Sequence, residues 1–182
     1  LQLYISMKNK SNDLISVIIP TRNRYHLAKG AIDNVLKQTY KNFEIIIVED
    51  GRGCGLEDYI KSLNNNSIYY KAHNHRKGLS AARNTGTVMS NGSYIAFLDD
   101  DERWINNKLE LQYNVIKKYE NRKYMVYCGS CKLMSQKIVS ESIPDVKGRM
   151  FNYFFYGYCI GSSCIMISKK HLLSIGGHSE NL

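Results

Sequence analysis

The chain has 182 residues, long enough for one full domain with a sizeable core. Its 43% hydrophobic content and 14 tyrosines exclude a disordered chain. A formal net charge of +9 calls for an anionic partner: nucleic acid, an anionic membrane surface or a phosphorylated small molecule. The basic residues are scattered rather than gathered in a Lys/Arg block, which argues against nucleic acid.

Residues 1–13 read as a leader before the domain proper. Leu14-Ile15-Ser16-Val17-Ile18-Ile19-Pro20 is a short, β-branched, apolar run, the pattern of a strand covered on both faces in a parallel sheet. A helix follows, with Leu27, Ala28, Ala31, Ile32, Val35 and Leu36 on one face. Phe43 to Val48 is a second buried strand, stopped by Glu49-Asp50-Gly51. Leu56 to Leu63 fits a short helix, Ile68-Tyr69-Tyr70 a third strand, and Gly78 to Met89 a further helix. Tyr94 to Leu98 is a fourth strand, and Ile105 to Tyr119 a helix with Leu109, Tyr113 and Ile116 on its apolar side.

Regularity fades after Glu120. Tyr124 to Leu133 is strand-like, and the aromatic stretch Arg149 to Tyr158 either lines a groove or packs. Ser163 to Ile167 reads as a strand, and Lys169 to Ile175 as a short helix stopped by Gly176-Gly177. Strands alternating with helices give a doubly wound, Rossmann-like, mostly parallel α/β sheet with helices on both faces. Such sheets take ligands at the carboxyl ends of their strands. The loops at Pro20–Arg24, Glu49–Gly51 and Asp99–Asp101 therefore face one crevice.

The five cysteines are odd in number and suggest free thiols in a reducing compartment. Cys128-Gly129-Ser130-Cys131 has C-x-x-C spacing, but no second ligand pair accompanies it, and two ordinary thiols are expected. His73 and His75 flank Asn74 in a polar loop, where a metal pair is the less favoured alternative. The chain shows no signal-peptide pattern, and no apolar run reaches membrane-spanning length. A cytoplasmic protein is expected, with a peripheral contact to a membrane surface compatible with the charge.

The most informative stretch is Tyr94-Ile95-Ala96-Phe97-Leu98-Asp99-Asp100-Asp101. A buried strand that delivers three carboxylates to one point costs about 4 kcal/mol for each pair ~4 Å apart at an effective dielectric near ~20. A cation is expected to cancel that repulsion, and hard oxygen donors suit Mg²⁺ or Mn²⁺.

Four motifs in this order resemble the family 2 glycosyltransferases of the GT-A fold: Val17–Arg24, Gln38–Gly51, Gly78–Gly86, and Phe97–Asp101 followed by Trp104, Lys108, Leu109 and Gln112. The match runs from about Ile15 to Asn181. It implies one GT-A domain over 14–182, with a nucleotide-binding half at about 14–120 and an acceptor-side half at about 121–182. It also implies a metal-dependent, inverting transfer from a nucleoside-diphosphate sugar, a UDP-sugar first, to a hydroxyl of a glycan or lipid-linked acceptor.

The resemblance places Asp50 against the donor base, with Pro20, Thr21 and Asn23 around base and ribose. Thr21 and Asn23 are also residue types that cap the following helix, and Asp50 equally suits a turn beside Gly51. Arg83 is implied on the phosphate or base side, or in a salt bridge, and Gly78 opens a helix whose amides approach an anion. Arg76 stands where the family carries Asn, and an arginine there suits a diphosphate. Asp101 is the implied metal ligand, with Asp99 assisting and Asp100 near the ribose. Arg52-Gly53-Cys54 departs from the family's Ser and Asp after Asp50.

Gly176 to Leu182 resembles the segment just before the family's Glu-Asp pair, so the general base is expected beyond Leu182. Three rival readings stay open: a non-catalytic nucleotide-sugar binding module, a nucleotidyltransferase and a nucleic-acid binder. The second lacks its glycine-rich phosphate loop after the first strand, and the third rests on charge alone.

Overall fold

A computed structural model of the chain describes residues 13–51, 53–118, 125–134, 137–142 and 160–181. The leader up to Asn12, Arg52 and the aromatic stretch Arg149 to Tyr158 lie outside them.

The β-branched run at Ile15–Thr21 forms β1, with every residue buried. It pairs in parallel with β2 (Phe43–Glu49) on one side and β4 (Tyr94–Phe97) on the other. β3 (Ile68–Ala72) extends the sheet beyond β2, again in parallel. Past β4 the sheet turns mixed: β8 (Ile165–Ser168) is antiparallel to β4 and to β5 (Met125–Tyr127), giving the order β3-β2-β1-β4-β8-β5. β6 (Ser130–Met134) and β7 (Lys137–Ser142) form a separate antiparallel hairpin. Strand order reverses between β1 and β4, which makes that junction the switch point where such folds take ligands.

The two-residue period of the strands divides the core into two layers. Ile15, Val17 and Ile19 of β1 pack with α1 (Tyr25–Leu36), α2 (Leu56–Ser62) and α4 (Lys108–Lys118). Ile18, Ile46, Ile95 and Phe97 face the other way, against Ala82 of α3 (Leu79–Met89) and Leu172 of α5 (Lys169–Ser174). Helices cover both faces of a mostly parallel sheet, the expected doubly wound architecture. α3 lies very close to β1: a Cβ on Gly86 would stand 2.5 Å from Ile18 Cγ2.

Three boundaries differ from expectation. The strand-like run Tyr124 to Leu133 is divided at Cys128–Gly129, its halves joining different sheets. α4 starts at Lys108 rather than Ile105: the Asn106 carbonyl accepts the Thr39 amide at 2.7 Å, and the Ile105 carbonyl accepts Gln38 at 2.8 Å and the Lys108 amide in a turn at 3.1 Å. Ser163 and Cys164 belong to a 3₁₀ turn, and the strand starts only at Ile165. Leu27, expected on the apolar face of α1, is exposed.

One buried charge holds the far end of the sheet. Glu44 is 3% exposed and accepts from the Ser16 hydroxyl at 2.6 Å, the Asn91 side chain at 3.0 Å and the Gly92 amide at 3.2 Å. Burial pushes its carboxyl up, but the Ser16 and Asn91 donors outweigh burial and hold it below the ordinary value.

Candidate functional site

The carboxyl ends of β1, β2 and β4 open into a cavity of about 520 Å³. Pro20, Thr21 and Asn23 line it from β1 and the loop that follows, Asp50 from the end of β2, and Arg76 and Gly78 from the approach to α3. Asp99, Asp100 and Asp101 complete the wall after β4. Nine of the ten residues singled out in the sequence thus share one cavity. The tenth, Arg83, does not line it: the guanidinium is buried and donates to Asp99 Oδ1 at 2.7 Å.

Asp50 is 5% exposed and strongly held. Its Oδ1 accepts the Lys77 amide at 2.7 Å and meets His73 Nδ1 at 3.0 Å, while Oδ2 accepts the Gly78 amide at 2.9 Å. Burial raises its carboxyl, but the Lys77 amide, the His73 imidazole and the Gly78 amide more than offset this and leave it below the ordinary value. The amide that opens α3 is therefore already given to a carboxylate of the chain. Gly78 has φ of +100°, a conformation that only glycine adopts without strain, and this aims its amide at Asp50. His73 is neither solvated nor one of a metal pair: it is 5% exposed, its second nitrogen lies 3.0 Å from the Thr85 hydroxyl, and His75 is exposed.

The acidic triplet is neutralised in pieces rather than at one point. Asp99 pairs with Arg83. Asp100, 4% exposed, accepts from Thr21 Oγ1 at 2.7 Å and from Arg24 Nη1 at 3.0 Å. The same Arg24 nitrogen reaches Asp101 at 3.2 Å, and Asp101 is exposed. Two guanidiniums thus supply part of the compensation that the sequence assigned to a cation alone. The Thr21 hydroxyl is likewise spent on Asp100.

Among the described residues, no group of three or more His, Cys, Asp or Glu is placed to hold a metal ion. The donor chemistry nonetheless fits one. Asp99 and Asp101 line the cavity, and their Oδ2 and Oδ1 atoms make no hydrogen bond among the described residues, so two hard carboxylate oxygens remain for a divalent cation shared with a ligand.

Sequence reasoning gave no role to Arg24, and read His73 only as a polar loop residue or, less favoured, half of a metal pair. The signal for Arg24 was its charge in the loop after β1, facing the same crevice as Asp100 and Asp101. His73 carried none, because only the fold brings it to Asp50. At the rim, Asn84 holds the last described loop: it donates to the His178 carbonyl at 2.9 Å and to Glu180 Oε1 at 2.6 Å, and accepts the His178 amide at 2.8 Å. Burial and the nearby Arg83 cation lower the His178 imidazole, with Asp99 opposing them.

The fold is shared with solved structures. S. aureus TarS (residues 1–349, in complex with UDP) superposes with a TM-score of 0.73 at 16% identity, covering 92% of this chain and 51% of that one. A mannosyltransferase from Pyrobaculum calidifontis, in complex with GDP-Man and Mn²⁺, gives 0.68 at 17% identity over 95% and 49%. The architecture is that of GT-A glycosyltransferases.

An uncharacterized glycosyltransferase of Rickettsia typhi is 37% identical over 140 residues, which are 77% of this chain and 42% of that protein. The Escherichia coli UDP-Glc:alpha-D-GlcNAc-diphosphoundecaprenol beta-1,3-glucosyltransferase WfgD is 36% identical over 105 residues, 58% of this chain and 42% of its own length. The chain therefore spans less than half the length of these two relatives. The family model described as Glycosyl transferase family 2 matches residues 16–173, most of the sequence. The chain belongs to glycosyl transferase family 2.

Proposed function

We propose that the chain is the donor-binding part of an inverting, metal-dependent glycosyltransferase that takes a UDP-sugar and serves surface-polysaccharide synthesis. The supporting observation is the cavity at the switch point, which brings together Asp50, Arg76, Asp99 and Asp101 from three separate strand ends. Its volume suits a nucleotide-sized ligand. The UDP donor draws on WfgD and on the UDP complex of TarS, and the polysaccharide role on WfgD and on the E. coli colanic acid biosynthesis relative WcaA.

In this reading residues of about 14–120 hold the nucleotide and those of about 121–182 face the acceptor. Asp50 accepts the base N3–H on Oδ2, alongside the Gly78 amide. Pro20, Thr21 and Asn23 bound the base and ribose, Asp100 sits by the ribose, Gly78 holds Asp50 beside the base, and Arg76 meets the diphosphate. Arg83 acts on the nucleotide through Asp99. Asp101 and Asp99 would hold Mn²⁺ or Mg²⁺, which neutralises charge on the departing diphosphate. The acceptor hydroxyl attacks the anomeric carbon from the face opposite the leaving group, so configuration inverts. The acceptor is a glycan or lipid-linked saccharide, reached at the cytoplasmic face of a membrane, to which the +9 charge gives a peripheral attraction. Among the described residues no helix is long and apolar enough to cross a membrane.

A thermal-shift panel of nucleotide sugars, with and without Mn²⁺, tests the proposal. A UDP-sugar with Mn²⁺ raises the midpoint by the few degrees that saturating ligand gives, more than a GDP-sugar does. No shift with any nucleotide sugar at millimolar concentration would overturn the reading.

A further inference from the structure

The C-x-x-C motif is taken apart by the fold. Cys131 is exposed on β6 in the hairpin, while Cys128 directly follows β5 and faces Cys164 at the end of the 3₁₀ turn before β8. The register Met125–Ile167, Val126–Met166, Tyr127–Ile165 continues one step, and the Cys128 amide donates to the Cys164 carbonyl at 3.0 Å. The two cysteines lie one step past the last strand pair, and directly opposed residues on antiparallel strands have Cβ atoms about 4.5–5.5 Å apart, a spacing their backbone bond brings within reach. A disulfide needs about 3.5–4.5 Å, so a small approach suffices. Both cysteines are free thiols, Cys128 half-buried and Cys164 buried, and Cys164 Sγ lies 4.0 Å from the carbonyl of Gly129, the residue after Cys128.

A cation is anchored beside them. Lys108 is 4% exposed, its ammonium 3.9 Å from the Trp104 ring centroid and 2.7 Å from Gln112 Oε1. Gln112 in turn donates to the Cys164 carbonyl at 2.8 Å and the Val126 carbonyl at 3.2 Å, which ties the lysine to both cysteine segments. Burial pushes the Lys108 ammonium down to about 8 against the pull of the two cysteines. The neighbouring Cys164 sulfur and, against the cost of burial, the Lys108 cation hold Cys128 below the ordinary thiol value, while the neighbouring Cys128 and burial push Cys164 up. Cys128 is the less buried of the two and is the sulfur a reagent reaches first, which leaves Cys164 to resolve.

We propose that Cys128 and Cys164 form an oxidisable dithiol, a modification site at which a small-molecule disulfide of the glutathione class reacts. The Cys128 thiolate attacks one sulfur of that disulfide, forming a mixed disulfide and expelling a thiolate that takes up a proton. Cys164 then loses its proton to solvent, attacks the Cys128 sulfur and expels the second thiolate. Two protein thiols are oxidised to one Cys128–Cys164 crosslink, and one small disulfide is reduced to two thiols. The site lies next to the support of the acidic loop: Ser163 Oγ accepts the Asp99 amide at 2.9 Å, and its carbonyl accepts Trp104 Nε1 at 2.8 Å. The inference stands apart from sugar transfer and survives its failure.

The test is peptide mapping of the full chain after exposure to a graded series of oxidised and reduced glutathione, with free thiols alkylated under acid quench. Cys128 is expected linked to Cys164, with Cys54 and Cys131 alkylated. In Cys164→Ser, glutathione is expected to stay on Cys128, and Lys108→Met is expected to slow its attachment about tenfold. If a variant misfolds, the peptide map of the unsubstituted chain decides alone. Cys128 and Cys164 both remaining alkylatable in fully oxidised glutathione, or Cys128 linked instead to Cys131 or Cys159, overturns the proposal.

Discussion

The Arg83 guanidinium donates to the Asp99 carboxylate at 2.7 Å, joining a buried helix residue to a carboxylate on the cavity wall. Removing the arginine strands Asp99 beside a closed core. Because Asp99 keeps partial contact with solvent, the loss is at the lower end of that class. Arg83→Ala is expected to cost about 1–3 kcal/mol in urea denaturation. A double-mutant cycle with Asp99→Asn is expected to return a coupling of about 1 kcal/mol or more. A coupling near zero would mean that the pair holds nothing.

Asp101 is exposed and makes one ion pair, with the equally open Arg24. Its removal should therefore leave the fold intact. Asp101→Asn is expected to keep the thermal midpoint and lose at least about tenfold, or about 1.4 kcal/mol, in Mn²⁺-dependent affinity for UDP. Titration calorimetry that finds the affinity unchanged refutes its part in cation binding.

Asp50 supports two backbone amides and an imidazole, so its removal has a structural and a ligand component. Asp50→Ala is expected to cost about 1–3 kcal/mol, the desolvation of donors left without an acceptor. It should also weaken UDP more than inorganic pyrophosphate. Equal losses for the two ligands would show that Asp50 does not read the base.

Glu44 and Asp50 both have folded-state carboxyl values below ordinary ones. A depressed acid stabilises the fold fully above its unfolded value, near about 4, and that contribution disappears as pH falls through the lower folded value. Urea midpoints should hold from pH 7 to about 5 and fall below about 4. Glu44→Gln should flatten part of that fall, and an unchanged acid limb in this variant would remove Glu44 from the account.

Gly86 leaves no room for a side chain, since a Cβ would meet three atoms of Ile18 at 2.5, 3.2 and 3.3 Å. Helix propensity alone favours alanine by about 1 kcal/mol. Overpacking costs about 1–3 kcal/mol and should win, because Ile18 is fully buried in the middle of the sheet. Gly86→Ala is expected to lower stability, and a higher urea midpoint would show that α3 yields.

Much of this architecture was legible in the chain. β1, β2 and β4 are runs that stay apolar on both faces, which only a covered parallel strand requires, and their ends announce the cavity by the change to Pro20, Asp50 and Asp99. What local pattern could not convey is partnership across the sheet. Glu44 looks like a solvated charge until Ser16, Asn91 and Gly92 close around it. His73 reads as a polar loop residue until β3 sets it against Asp50. The carbonyls just before α4 accept from Gln38 and Thr39, far away in sequence. Cys128 suggested Cys131 by spacing, whereas strand register pairs it with Cys164.

Arg24 touches two neighbouring carboxylates through a single nitrogen while remaining open to solvent. It already sits where the proposed cation would be held. A cation held there, as proposed, would have to displace Arg24 or share the carboxylates with it. Selectivity at such a doorway comes from who fits the exchange, since neither side of it starts as bare charge.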